Sequence, residues 1–161
     1  MSALPLLAWT ALCALQDLQQ RRIANWLSLG GAAAALLYLV LRGETLLGAS
    51  TAAGLGAAGL ALLLTLPGYW LGKLGAGDVK LLLGIALGSH PPFVLHCLAG
   101  AGLAYLAWAI LARPLWPVLP ARLKAALHQL APERVRRYPF APFLFVGSLA
   151  ALFLTNRLAV I

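Results

Sequence analysis

Six apolar stretches, separated by short polar or charged segments, dominate this sequence and limit the folds that are open to it. A helix that crosses the hydrocarbon core of a bilayer needs about 20 predominantly apolar residues. Of the 161 residues, 62% are hydrophobic and 10% are charged, whereas roughly a quarter of the residues in a soluble globular domain are charged. We therefore predict an all-α, polytopic membrane protein with six transmembrane helices. The stretches are residues 3–16, 26–41, 46–70, 79–89, 93–112 and 140–155.

The fourth stretch, residues 79–89, has only about half of the length that a spanning helix needs. We expect it either to tilt and be extended by its neighbours, or to stop short of one membrane surface. The sequence contains no internal repeat, low-complexity tail or linker that would divide it. Residues 1–161 are therefore expected to form a single membrane-embedded domain.

The chain is strongly basic, with 12 Lys and Arg residues against 4 Asp and Glu residues and a net charge of +8. The basic residues lie between the apolar stretches, which is typical of loops beside anionic lipid and argues against a nucleic-acid partner. Both termini are predicted to lie outside the cytoplasm, because most of the basic residues are then in cytoplasmic loops and only Arg42 and Arg157 are outside. The cytoplasmic basic residues are Arg21, Arg22, Lys73, Lys80, Arg113, Arg122, Lys124, Arg134, Arg136 and Arg137.

Two acidic residues, Asp17 and Asp78, lie at the ends of apolar stretches on the predicted cytoplasmic side. An ionisable side chain at the end of a membrane helix costs free energy unless it is solvated or paired, so each aspartate is a candidate functional residue. Asp17 has an alternative role as the counter-ion of Arg21 or Arg22, one turn further on. Asp78 has an alternative role as the cap of the fourth helix.

Residues 75–80, with the sequence GAGDVK, favour a functional role for the second aspartate. The two glycines allow backbone conformations that are closed to other residues, and they leave space beside the carboxylate. Two carboxylates that converge near the membrane surface can share one proton, because like charges a few ångströms apart cannot both ionise. The ionised carboxylate then activates water, while the protonated one polarises a peptide carbonyl and protonates the leaving amine. This aspartic-protease chemistry needs no metal and no organic cofactor.

The GAGDVK segment, taken with residues 17–25 (DLQQRRIAN) after the first apolar stretch, resembles the motifs of the type IV prepilin peptidases. These are GxGD-type aspartic proteases of the bacterial inner membrane. The resemblance extends over almost the whole chain in span count, order and loop charge. It implies that Asp17 and Asp78 are the catalytic pair and that the active site faces the cytoplasm.

Several other positions match the family motifs. Gly75 and Gly77 match the two glycines, and Lys80 matches the lysine, for which we expect an electrostatic or interfacial supporting role. The structural alternative is that Lys80 only extends from a helix end to the membrane surface. Upstream, residues 23–25 read Ile-Ala-Asn where the family motif has Ile-Pro-Asn. Asn25 therefore matches the motif, whereas alanine replaces the proline before it.

Downstream, residues 139–142 (PFAP) resemble the family's Pro-Phe-Gly-Pro segment, with alanine in the position of the glycine. Pro139, Phe140 and Pro142 are therefore candidates for a structural or substrate-side segment. Helix entry at Pro142 is by itself a sufficient structural explanation for this segment.

Larger members of the family carry a cytoplasmic segment with paired CxxC motifs and a methyltransferase activity, and this sequence has no such segment. It resembles the short peptidases of Flp or Tad pilus systems. This implies cleavage of the basic leader of Flp-type prepilins, and of pseudopilins, at the cytoplasmic membrane boundary without N-methylation. The alternatives are an archaeal preflagellin-type peptidase, and a small membrane carrier or scaffold whose aspartates are not catalytic.

Overall fold

The computed structural model describes residues 3–132 and 138–158, and in this part of the chain the regular elements are helical. The all-α prediction is therefore confirmed for these residues. The helices are α1 (Leu4–Gln20), α2 (Asn25–Arg42), α3 (Thr51–Trp70), α4 (Ala76–Leu87), α5 (Pro91–Leu115), α6 (Ala121–Ala126) and α7 (Ala141–Leu158). Short 3₁₀ turns, Trp116–Val118 and His128–Leu130, lie on either side of α6.

Each predicted apolar stretch corresponds to one helix, namely α1 to α5 and α7, but these helices differ in length. Among the described residues, three helical segments are long and apolar enough to cross a membrane: Asn25–Arg42, Thr51–Trp70 and Pro91–Val118. A shorter apolar helix lies at Ala141–Thr155. The six-span count stays a prediction beyond these three candidates.

Helix α4 is the clearest departure from a full span. It has 12 residues, which at about 1.5 Å per residue gives roughly 18 Å, well short of a hydrocarbon core of about 30 Å. Its side chains are nevertheless packed on several sides by α2, α3 and α5. Leu81, Leu82, Ile85 and Ala86 are fully buried. Burial among longer helices explains why a short apolar segment persists here, since its apolar surface is covered by protein.

Small residues bring the helices into close contact. The indole of Trp9 in α1 occupies the space that a Cβ would need at Gly31 of α2 and at Gly84 of α4. Helices α5 and α7 meet at Gly100 and Gly147, where a Cβ on Gly100 would lie 3.0 Å from the Cα of Gly147. Such close approach is the usual basis of helix association in membranes.

The outer faces of the helices expose large apolar side chains. Leu41 of α2, Leu63 of α3 and Leu103 of α5 are 73%, 70% and 69% exposed. An apolar outer surface on an apolar bundle suits a protein that faces lipid. The predicted cytoplasmic residues Arg134, Arg136 and Arg137 lie outside the described residues, as does the side chain of Arg157.

Candidate active site

Asp17 and Asp78 line the same cavity, which has a volume of about 600 Å³. It lies where α1 ends and α4 begins, so the chain brings together two aspartates that are separated by two helices in sequence. A second cavity, of about 280 Å³, also has both aspartates in its wall. The larger cavity is lined in addition by Arg21, Lys73, Leu74, Gly75, Gly102, Tyr105, Tyr138, Pro139 and Phe140.

The Asp17 side chain is 6% exposed and is held by the start of α7. Its Oδ2 accepts a hydrogen bond of 3.1 Å from the backbone N–H of Ala141. The carboxyl lies beyond the predicted first span, and burial raises its pKa. The Ala141 N–H and the Arg21 guanidinium act in the opposite direction and favour the ionised form. The counter-ion alternative therefore describes part of the environment of Asp17.

Asp78 is in the first turn of α4, and its Oδ2 accepts a hydrogen bond of 3.2 Å from the N–H of Gly75. The N-cap residue is therefore Gly75 and not Asp78, which caps the helix from its third residue and also lines the shared cavity. Burial, and then the negative charge of Asp17, raise the pKa of Asp78 to about 6. Its proton is therefore retained at a pH where an ordinary aspartate is ionised.

The two motif glycines do not have the unusual backbone conformations that the sequence analysis expected. Gly75 has φ −80°, and the described glycines with positive φ are Gly43, Gly48 and Gly72. The expectation of space is correct for Gly75, because a Cβ there would lie 3.2 Å from Oδ2 of Asp78. This is tighter than an ordinary van der Waals contact, so the glycine is explained by the carboxylate beside it.

Gly77 lies beside Ile23, in the connector between α1 and α2, but this contact does not require a glycine. A Cβ at this position would lie 3.6 Å or more from Ile23, which is an ordinary van der Waals distance. Next to this contact, the Lys80 Nζ donates a hydrogen bond of 2.8 Å to the Asn25 Oδ1. The structure therefore brings the two motif residues Asn25 and Lys80 together and joins the start of α2 to α4.

The segment 139–142 contributes both to the cavity wall and to the start of α7. Pro139 and Phe140 line the larger cavity, while the carbonyl of Phe140 accepts the first backbone hydrogen bonds of α7. Pro142 is in the first turn of α7, where its missing N–H costs little.

Three features of the site were missed in the sequence analysis. The amide of Ala141 that holds Asp17 has no signal in the sequence, because any residue but proline supplies one. The Tyr105 ring packs edge-on against Tyr138 and Phe143, with centroids 5.7 and 5.3 Å apart, and forms an aromatic wall. Gln16 accepts a hydrogen bond of 2.8 Å from the Ala24 N–H; its polar side chain at the end of an apolar stretch was the available signal.

The chemistry that this arrangement supports is hydrolysis by a pair of carboxyl groups. One carboxylate has backbone and cationic partners that favour its ionised form, and the other has a pKa raised to about 6, so that it can hold a proton below that pH. In the part of the chain that the structure describes, no group of three or more His, Cys, Asp or Glu side chains converges as a metal site would require.

One comparison with known proteins found a match. The model of the type IV leader peptidase family matches residues 4–110, a range that includes both aspartates, Asn25 and Lys80. No curated protein and no solved structure matches the chain.

Proposed function

Since the chain belongs to the type IV leader peptidase family, we propose that it is a GxGD aspartic endopeptidase that removes the basic leader of Flp-type prepilins and pseudopilins. The reaction is placed at the cytoplasmic boundary of a bacterial inner membrane. The observation that carries the proposal is the shared cavity of Asp17 and Asp78 at one end of the helical bundle. A cation carrier would be expected to place its acidic residues near mid-bilayer instead.

In this mechanism Asp17 is the base and Asp78 is the acid. The ionised Asp17 carboxylate takes a proton from water, and the water oxygen attacks the carbonyl carbon of the scissile peptide. Protonated Asp78 donates a hydrogen bond to the carbonyl oxygen and stabilises the charge that develops there. Asp78 then gives its proton to the leaving nitrogen as the C–N bond breaks, and the proton that Asp17 took from water restores the pair. The assignment follows the partners of Asp17 and the pKa of Asp78, which is raised to about 6.

The apolar helix of the substrate is proposed to supply most of its affinity. The larger cavity has the cationic side chains of Arg21 and Lys73 in its wall, and these repel a basic leader. The outer surface of the bundle, by contrast, exposes large apolar side chains against which a substrate helix can pack. We therefore expect an intact prepilin to be cut at least about tenfold more efficiently than a soluble leader peptide that lacks the helix.

The test compares both substrates at equal concentration with purified enzyme in lipid vesicles, and cleavage is read by mass spectrometry. A panel of Flp-type prepilins, a pseudopilin and an archaeal preflagellin separates the related peptidases. Equal cleavage of the isolated leader would contradict the proposed source of affinity. If the wild-type enzyme cut no member of the panel, the carrier or scaffold interpretation would replace the peptidase.

The protonation states of the pair predict a pH dependence. Because the acid must be protonated and the pKa of Asp78 is about 6, kcat/KM is expected to fall as the pH rises above about 6. At low pH the rate is expected to fall again, since Asp17 becomes protonated and no base remains. Arg21 lowers the pKa of Asp17, so Arg21→Gln is expected to move the acidic limb to higher pH.

This prediction is checked by pH profiles of kcat/KM for the wild type, Arg21→Gln and a control, Arg42→Gln. Arg42 lies at the far end of α2 from Asn25, so the control is expected to retain the wild-type profile. An acidic limb that moves equally in both variants would count against a specific action of Arg21 on Asp17.

A further inference from the structure

Gln16 ties the start of α2 to the end of α1. Its Oε1 accepts a hydrogen bond of 2.8 Å from the backbone N–H of Ala24, across eight residues of sequence. Ala24 is the residue from which α2 begins, and its carbonyl accepts from the N–H groups of Leu27 and Ser28. Gln16 is also the immediate neighbour of Asp17. The bond therefore joins the helix turn that carries one aspartate to the residue at which the next helix starts.

The same connector contacts α4 on both sides of Asp78. Ile23 packs beside Gly77, the residue before Asp78. Asn25 accepts the hydrogen bond of Lys80, two residues after Asp78, at 2.8 Å. A displacement of residues 23–25 relative to α1 would therefore displace the start of α4 relative to Asp17.

We propose, on the basis of the peptidase function above, that Gln16 is a positioning residue whose side chain holds the connector and thereby sets the separation of the Asp17 and Asp78 carboxylates. Gln16 touches neither the peptide bond nor the attacking water in this proposal. Its effect is on the rate of the chemical step, because proton transfer among the two carboxyl groups, the water molecule and the peptide depends on the distances between them. Displacement of a catalytic group by about 1 Å can lower a rate by as much as about a hundredfold.

The backbone of Ala24 offers a sharp way to test this role. Its φ of −61° and ψ of 138° match the values that a proline ring imposes. Ala24→Pro would remove the N–H that Gln16 binds, yet hold the same φ without it. Gln16→Met should therefore lower kcat when residue 24 is alanine and cause no further loss of kcat when residue 24 is proline.

The experiment is a double-mutant cycle in lipid vesicles with an intact prepilin. Gln16→Met, which keeps the length but lacks the acceptor, is expected to lower kcat about tenfold with little change in KM. Ala24→Pro removes the same hydrogen bond and is expected to lower kcat by no more than Gln16→Met does, and Gln16→Met/Ala24→Pro is expected to have the kcat of Ala24→Pro. Gln20→Met is the matched control, since Gln20 is exposed at the end of the same helix, and it should have the wild-type kcat.

A second measurement follows the hydrogen bond itself. Amide hydrogen exchange of a peptide containing Ala24, read by mass spectrometry, is expected to be faster in Gln16→Met and unchanged in Gln20→Met. This result does not depend on how well the proline variants fold. Unchanged exchange in Gln16→Met would overturn the proposal.

The outcomes also separate this proposal from the proposed function. A Gln16→Met defect of equal size in the alanine and proline backgrounds, or an unchanged kcat, would overturn the positioning role while leaving the peptidase intact. A wild-type enzyme that cuts no prepilin would refute the peptidase and the positioning role together.

Discussion

Asp17→Asn and Asp78→Asn are each expected to abolish leader removal, with kcat/KM lowered by about a thousandfold or more. Asparagine keeps the shape of the side chain and one oxygen acceptor. Asp17→Asn can still accept the N–H of Ala141, and Asp78→Asn can still accept the N–H of Gly75. What each variant loses is the ability to take up or release a proton, so the defect should lie in kcat.

The stability of the two variants should move in the opposite direction from their activity. Burial raises the pKa of both carboxyls, so the ionised forms are disfavoured in the folded protein. A raised folded-state pKa means that the stabilising effect of the proton is present at low pH and is lost as the pH rises. A neutral amide does not have this cost, and Tm at pH 8 is therefore expected to be unchanged or higher than in the wild type.

The measurement is cleavage of a co-expressed prepilin at matched membrane levels, together with thermal unfolding of the purified proteins. Glu44→Gln is the matched control, because it makes the same acid-to-amide change in the α2–α3 loop and lines neither of the two cavities. It is expected to cut at the wild-type rate. Continued cleavage by either aspartate variant would contradict the two-carboxyl mechanism and favour a scaffold.

Sequence reasoning located the two aspartates because their signal is local. Each is a charged residue at the end of an apolar stretch, and the alternation of helix direction places the end of α1 and the start of α4 on one side of the bundle. Such a signal does not depend on how the helices pack. The helix count was less secure, since a short apolar stretch such as α4 has the composition of a span but not its length.

The remainder of the site could not be read from local patterns, because it depends on contacts between distant segments. The bond from Ala141 to Asp17 joins residues 124 positions apart, and the bond from Lys80 to Asn25 joins residues 55 positions apart. A backbone N–H carries no residue-specific signal at all. Of the two roles expected for Gly75, conformational freedom and space beside the Asp78 carboxylate, only the space agrees with the structure.

The close crossing of α5 and α7 supports the site from a distance. Helix α7 supplies the Ala141 N–H that binds Asp17, and α5 supplies Tyr105 in the wall of the larger cavity. The two helices approach at Gly147, which is buried against the backbone of Cys97 and Ala101. The position of α7, and with it the environment of Asp17, therefore depends on a residue without a side chain.

Gly147→Ala is accordingly expected to destabilise the protein by about 1–3 kcal/mol and to lower cleavage as well. The added Cβ would overlap the carbonyl oxygen of Cys97 and lie 2.8 Å from the backbone nitrogen of Ala101. Both are backbone atoms of a neighbouring helix, so they cannot rotate away as a side chain could. The helices must separate instead, and the small-residue contact between them is lost.

Gly59→Ala provides the matched comparison, because Gly59 is inside α3 and a Cβ there meets nothing within 4 Å. In that position alanine is expected to be neutral or to stabilise the helix by up to about 1 kcal/mol, since glycine is the poorer helix former. The Tm in detergent and the rate of prepilin cleavage in vesicles should thus both decrease for Gly147→Ala. For Gly59→Ala both should be unchanged or increase. Equal Tm values for the two variants would mean that α5 and α7 do not cross at Gly147, and the link from that crossing to Asp17 would then have to be abandoned.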